Sequence, residues 1–147
     1  NYIRQQHGIR IGERTAEAIK HAIGAAISDL ENEPDDFSIT APNMLTALPQ
    51  TVSLSYSEVA HALEPSLMKL DDALMKVLGS MPPELFSDIV KNGIWLTGGG
   101  ALLRGLDKRL ENKIKIPFHV AEDPLHCVAK GTDIALKNVH NFSFLMR

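Results

Sequence analysis

The chain has one cysteine, Cys127, among its 147 residues. An intrachain disulfide is impossible, which fits a reducing compartment. No apolar run approaches the ~18 residues that a membrane-spanning helix needs. The opening Asn1-Tyr2-Ile3-Arg4 holds neither the apolar stretch of a secretory leader nor an initiator Met, so the sequence reads as beginning inside a longer protein. Aromatic residues make up only 5%, too few for a base-stacking platform, and the formal net charge is -3, so there is no broad cationic footprint. Nucleic acid is therefore not an expected partner. The six histidines are scattered, with no i, i+4 pair and no cysteine at ligand spacing, so no metal site is expected. No G-x-S-x-G is present to suggest a nucleophile elbow.

What is present suffices for a folded domain: 44% hydrophobic and 22% charged residues. Tyr2 to Gln6 reads as a short helix stopped by Gly8. Ile19, Ile23, Ala26 and Ile27 fall at helical spacing, which predicts a helix over about 13–28. The acidic stretch Asp29–Asp36 contains Pro34 and reads as a loop. Phe37, Ile39 and Ala41 alternate with polar residues, as do Val52 and Leu54 after Pro49. Two strands follow, able to pair as an antiparallel ribbon around the Pro42-Asn43 turn.

Ser55 and Glu58 have capping-box spacing. Beyond them Val59, Leu63, Leu67, Leu70, Leu74, Val77 and Leu78 form one long helical stripe. Pro65 lies inside it, and its missing N–H and clashing ring predict a kink or break. Pro82-Pro83 predicts a short helix over about 83–90. Ile94–Thr97 reads as a buried strand, followed by Gly98-Gly99-Gly100 and a helix with Leu103, Leu106 and Leu110 on one face. Phe118-His119-Val120 reads as a strand with His119 exposed. Asp123-Pro124 predicts the start of a helix running to about Lys137. The second half is thus α/β, favouring parallel strands. The tail, 138–147, is expected to be a frayed end, to dock on its own domain, or to contact a partner or membrane surface.

Two features could carry chemistry. The glycine triplet lets another group approach the backbone closely, but its spacing is that of neither a P-loop nor a dinucleotide fingerprint. It serves equally well as a tight strand-to-helix turn. Glu17 and Lys20, three apart, share a helix face roughly opposite Ile23. They could form a solvated ion pair or project a carboxylate and an ammonium group over a cleft. His126 and Cys127 are adjacent and so point about 100° apart on a helix. Cys127 is expected to pack as a small hydrophobe.

Four segments together resemble one family. Ile94-Trp95-Leu96-Thr97-Gly98-Gly99-Gly100-Ala101-Leu102-Leu103-Arg104-Gly105-Leu106-Asp107 is similar to the adenosine motif of MreB, the bacterial actin that helps set rod shape. Ile9–Lys20 resembles that family's I-G-E-x-T-A-E-x-I-K segment. Pro82–Leu85 and Ile116–Leu125 are similar to two further stretches. The resemblance covers about residues 1–137 in order.

It implies an α/β, actin-like ATPase fold of the ribonuclease H-like type, with this chain forming most of the second lobe. Residues 9–58 would form a small inserted α+β outer subdomain; 1–8 and 59–137 would belong to the inner one. The resemblance places Glu17 and Lys20 against the adenosine of ATP, with Gly98, Gly99, Gly100 and Ala101 lining its other side. No catalytic residue and no metal ligand are expected in this chain. The phosphate hairpins and the acidic residue for Mg²⁺ would precede Asn1. The resemblance further implies an ATPase in the full-length protein, and an inactive fragment. It implies filaments built by self-association, a RodZ-type membrane anchor, wall-synthesis partners, and a cytoplasmic, membrane-associated location reached through the missing lobe. Two alternatives stand beside it: the nucleotide-binding lobe of a heat-shock chaperone or sugar kinase, and a ligand-free interaction module.

Overall fold

The computed structural model describes residues 1–138. Helix α1, Tyr2–His7, ends at Gly8, whose φ of 64° is left-handed and whose N–H donates to the Arg4 carbonyl. Helix α2 spans Glu13–Ile23, with Ile19 and Ile23 buried. It stops short of the expected residue 28. Gly24 turns the chain extended, and a Cβ there would sit 2.2 Å from the Lys20 carbonyl oxygen. The small Gly-Ala-Ala run lets Ala25 pair in parallel with Arg104, so Ala25 and Ala26 are buried in an extended bridge rather than a helix.

Strands β1 (Phe37–Pro42) and β2 (Pro49–Leu54) pair antiparallel, with Ile39 opposite Val52. Their alternation works as expected: Ile39, Ala41, Val52 and Leu54 are buried, while the Thr40 and Thr51 hydroxyls meet at 2.8 Å on the outer face. Asn43 builds the turn, its Oδ1 accepting from the Leu45 and Thr46 N–H groups.

Helix α3, Tyr56–Gly79, is continuous through Pro65. Of the expected kink or break, the break does not occur. Proline removes one hydrogen bond, and the helix is packed on both sides of it: Val59 and Ala60 enter one core cluster, Leu67 a second. Ser55 Oγ accepts from the Glu58 N–H at 3.3 Å, half of the capping box. The Glu58 carboxylate bonds His7 Nε2 instead of returning to Ser55, and so ties α1 to α3. Leu70 and Val77 of the predicted stripe are exposed.

Helix α4 spans Pro83–Asn92. Strands β3 (Ile94–Leu96) and β4 (Phe118–Val120) pair in parallel, as the α/β pattern predicts. The expectation of a buried β3 fails at Trp95, which is 65% exposed and packs its ring against His119. Only one face of this two-stranded sheet enters the second core, through Phe118 with Ile94 and Leu96. After β3 comes a 3₁₀ turn, Gly99–Leu102, and only then helix α5, Leu106–Ile114. Leu106 and Leu110 are buried as expected; Leu103 precedes the helix and packs from the loop. Helix α6, Cys127–Lys137, begins three residues later than Asp123-Pro124 suggested. The Asp123 side chain accepts from His126 and Lys130, and its carbonyl accepts from the His126 N–H, which closes a turn before the helix. Cys127 donates its thiol to the same carbonyl. The predicted tail, apart from Asn138, lies outside the described residues.

Two core clusters result. The first gathers Ile9, α2, the ribbon and the start of α3; the second gathers Ala26, Leu67, Leu106, Leu110 and Phe118. Leu63 packs against both.

Candidate functional site

Helix α2 turns Ile19 and Ile23 inward, and this leaves Glu17 and Lys20 exposed on its outer side. Both line a cleft of about 880 Å³ between α1, α2 and the start of α3, shared with Arg10, Glu13 and Glu58. Among the described residues they form no ion pair with each other; the Glu17 carboxylate lies 3.8 Å from His21 Nε2. Their polar heads are free to meet solvent or a ligand.

The glycine turn lies outside that cleft. Gly98 has φ 79° and ψ 176°, a conformation that only glycine holds without strain. Its N–H donates to the Pro124 carbonyl at 2.7 Å, which pins the turn to the β4–α6 loop. A Cβ added at Gly98 or Gly100 would meet nothing within 4 Å, so both backbones face open space. Gly99 approaches Leu125, and Ala101 is buried and anchors the turn. This is backbone that a flat ligand can approach closely.

No hydrogen bond among the described residues joins Glu17 or Lys20 to the turn. Helix α2 and the turn are linked through a junction instead. Gly24 N–H donates to the Lys20 carbonyl at 2.9 Å, and Ala26 N–H donates to the Arg104 carbonyl at 2.8 Å. Gly105 has φ 71°, and a Cβ there would lie 2.6 Å from Ile27 Cγ1. Glycine is required at this close approach.

A charge network behind the junction was not anticipated from the sequence. Asp71, fully buried, accepts from Arg109 Nη2 at 2.8 Å and Lys113 Nζ at 2.9 Å. Arg109 also grips both Glu64 oxygens, at 2.7 and 2.8 Å, and donates to the Ala26 carbonyl at 3.2 Å. Burial pushes the Asp71 carboxyl up, but the hydrogen bonds from Arg109 and Lys113 outweigh it and hold the pKa below the ordinary value. The Arg109 hydrogen bonds hold Glu64 low as well. A signal existed: Asp71 stands in helical register with Leu67, Leu74 and Leu78, a charge inside an apolar stripe, which implies a buried partner. At the far end of the turn's support, hydrogen bonds from Lys130 and His126 bring Asp123 down to about 2. Among the described residues no group of three or more His, Cys, Asp or Glu is placed to hold a metal ion.

The comparisons place this arrangement, helices around a parallel strand pair with an antiparallel ribbon beside it, in a class: the actin-like ATPase fold. Spiroplasma citri MreB5 solved with ADP superposes at TM-score 0.89, with 36% identity over 94% of this chain and 41% of that one. The same protein solved with AMPPNP gives 0.90 and 34%, over 99% and 43%. The MamK filament, at 20% identity and TM-score 0.63, shares the fold.

The sequence comparisons narrow the class. The profile of the MreB/Mbl protein family matches residues 1–143, and the chain belongs to that family. It is 42% identical over 139 residues to the cell shape-determining protein Mbl of Bacillus subtilis (strain 168), and 44% to the cell shape-determining protein MreB of Escherichia coli (strain K12). These matches cover 95% of the chain but only 41% and 40% of those relatives.

Proposed function

We propose that this chain supplies the adenosine side of the ATP cleft in a bacterial actin that maintains rod cell shape. Glu17 and Lys20 contact the nucleoside from α2. Gly98, Gly99, Gly100 and Ala101 line its other side with backbone. The observation that carries this reading is the pair of open glycines, Gly98 and Gly100, fixed through one junction to the helix that bears the Glu/Lys pair. That relatives of this fold are solved with ADP and AMPPNP supports it. Identities above 40% to cell-shape proteins set the chaperone and sugar-kinase branches aside.

The wider reading follows the family. The whole protein would hydrolyse ATP with Mg²⁺, using phosphate hairpins outside this chain. It would polymerise with itself and act in the cytoplasm at the membrane, with a RodZ-type anchor and wall-synthesis proteins as partners. In this division of labour residues 9–58 form the outer subdomain, and 1–8 with 59–137 contribute to the inner one.

The test is calorimetric titration of ATP into a protein that carries both lobes. Lys20→Ala and Glu17→Gln should each weaken binding without lowering the melting temperature, because both side chains are exposed. Unchanged affinity in both variants would overturn the assignment. Absence of ATP binding in the wild type would favour a ligand-free interaction module.

A further inference from the structure

We propose that Arg109 is a positioning residue for the nucleoside site, acting through Ala26 to set the spacing between the Glu17–Lys20 helix and the glycine turn. The inference rests on the reading of the site given above.

Arg109 touches neither wall. Its guanidinium instead satisfies three residues in two parts of the chain: Glu64 and Asp71 on α3, and the carbonyl of Ala26. The two carboxylates would suffice to clamp α5 to α3. The bond to Ala26 does something else. Ala26 is held at both of its backbone polar groups by the 104–109 segment, its N–H by the Arg104 carbonyl and its own carbonyl by the Arg109 side chain. The Arg104 guanidinium adds a third tie, to the Gly24 carbonyl at 3.4 Å.

The extended Gly24–Ala26 segment is where the two walls connect. On one side Gly24 closes the last turn of α2 by donating to the Lys20 carbonyl, so a shift of Gly24 moves the turn that presents Lys20. On the other side Arg104 follows Leu103, whose N–H donates to the Gly100 carbonyl at 3.1 Å, and Ala101 N–H donates to Gly98 at 3.2 Å. The path from Lys20 to the glycines is thus a short run of backbone hydrogen bonds with Ala26 at its centre. Ala26 is almost wholly buried, and among the described residues its N–H and C=O are satisfied by the Arg104 carbonyl and the Arg109 side chain. Arginine suits this task because its rigid fork of donors serves several acceptors at fixed angles. Asp71 and Glu64 hold the fork in turn, and Lys113 shares the Asp71 charge.

The experiment uses a ¹⁵N-labelled protein that carries both lobes, in four forms: wild type, Arg109→Ala, Arg109→Lys and Leu78→Ala. Leu78 is buried at the far end of α3 and outside both core clusters, so its variant controls for destabilisation alone. Amide shifts are recorded without ligand. Adenosine and ADP are then titrated at a temperature where each form is folded. Arg109→Ala should move the amide signals of both Glu17–Lys20 and Gly98–Ala101. It should weaken adenosine and ADP by the same factor, between about twofold and thirtyfold, the range of coupling through a packed network. Arg109→Lys keeps the charge but cannot reach all its acceptors, and should fall between; it carries the test if the alanine variant unfolds. Leu78→Ala should change neither. Arg109 variants whose wall amides and affinities match wild type would show a purely structural clamp and overturn the proposal. A wild type that binds neither adenosine nor ADP would refute the nucleoside site, and the positioning role with it.

Discussion

Alanine placed at three glycines of one loop should have three different outcomes. At Gly105 the backbone is left-handed, which costs a residue with a Cβ about 1–2 kcal/mol. The new methyl would also lie 2.6 and 2.7 Å from Ile27 Cγ1 and Cδ1. Forcing a packed isoleucine aside adds about 1–3 kcal/mol, for a total of about 2–5 kcal/mol. Gly98 has room, but its φ of 79° and ψ of 176° belong to glycine alone, so alanine there costs about 1–3 kcal/mol. Gly100 has neither a positive φ nor a neighbour within 4 Å of the added methyl, so Gly100→Ala should stay within about 0.5 kcal/mol of wild type. Urea unfolding measures the series. With a slope of about 1–3 kcal/mol per molar, Gly105→Ala should lower the midpoint on the order of 1 M. The ligand arm reverses the order of interest. Gly100→Ala fills the space that a nucleoside would use, so it should fold normally and lose adenosine binding. If Gly100→Ala destabilises the chain as much as Gly105→Ala, the turn geometry is wrong. If it folds normally and binds adenosine like wild type, the turn is not a ligand wall.

Further outcomes follow from the charge network. Asp71→Ala leaves Arg109 with Glu64 and the Ala26 carbonyl, and leaves Lys113 half-exposed to water, so the loss should fall near the lower end of the about 3–5 kcal/mol typical of a broken buried pair. Denaturant midpoints check this, and an unchanged midpoint would refute it. The folded-state pKa values of Asp71 and Glu64 are both depressed, so their contribution is complete above the ordinary carboxyl range, about pH 4, and drains away as pH falls through the folded values. Stability should therefore drop below about pH 4, and drop less steeply in Asp71→Asn. The 147-residue chain should release no phosphate from ATP with Mg²⁺. Magnesium-dependent turnover that Lys20→Ala abolishes would contradict the division of the site.

Much of the architecture was legible because single-element rules acted alone. The ribbon follows from period-two alternation with Asn43 at its turn. The ends of α1 and α4 follow from Gly8 and Pro83. The parallel pairing of β3 with β4 follows from the α/β order. The departures occur where two parts of the chain meet. Ala26 and Ile27 extend the apolar period of α2, yet Ala26 bonds the Arg104 carbonyl beside the Ala25 bridge and Ile27 packs on Gly105, because the Gly-Ala-Ala run is small enough to leave the helix there. Pro65 should break a lone helix, but cores on both sides hold α3 through it. Asp123-Pro124 carries a strong helix-start signal, and Lys130 and His126 draw the carboxylate into a preceding turn instead. The candidate site was suggested by resemblance alone. Composition left Glu17 and Lys20 open between an ion pair and a ligand wall, and their lack of a mutual bond is a tertiary fact.

The placement of the two walls has an energetic consequence. Helix α2 packs in the first core, whereas the loop that follows the glycine turn packs in the second through Leu103 and Leu106. Beyond α3, with Leu63 touching both clusters, the junction at Ala25 and Ala26 is what couples them: Ala25 belongs to one and Ala26 to the other. A nucleoside held between the walls would bridge the cores at a third place. By linkage, a ligand at a hundred times its dissociation constant stabilises the bound form by about 2.7 kcal/mol. A ligand that spanned the seam would resist opening of the seam itself, not only global unfolding. Under the proposed reading, a seam that rests on Ala25, Ala26 and Leu63 would then tighten when the cleft is filled.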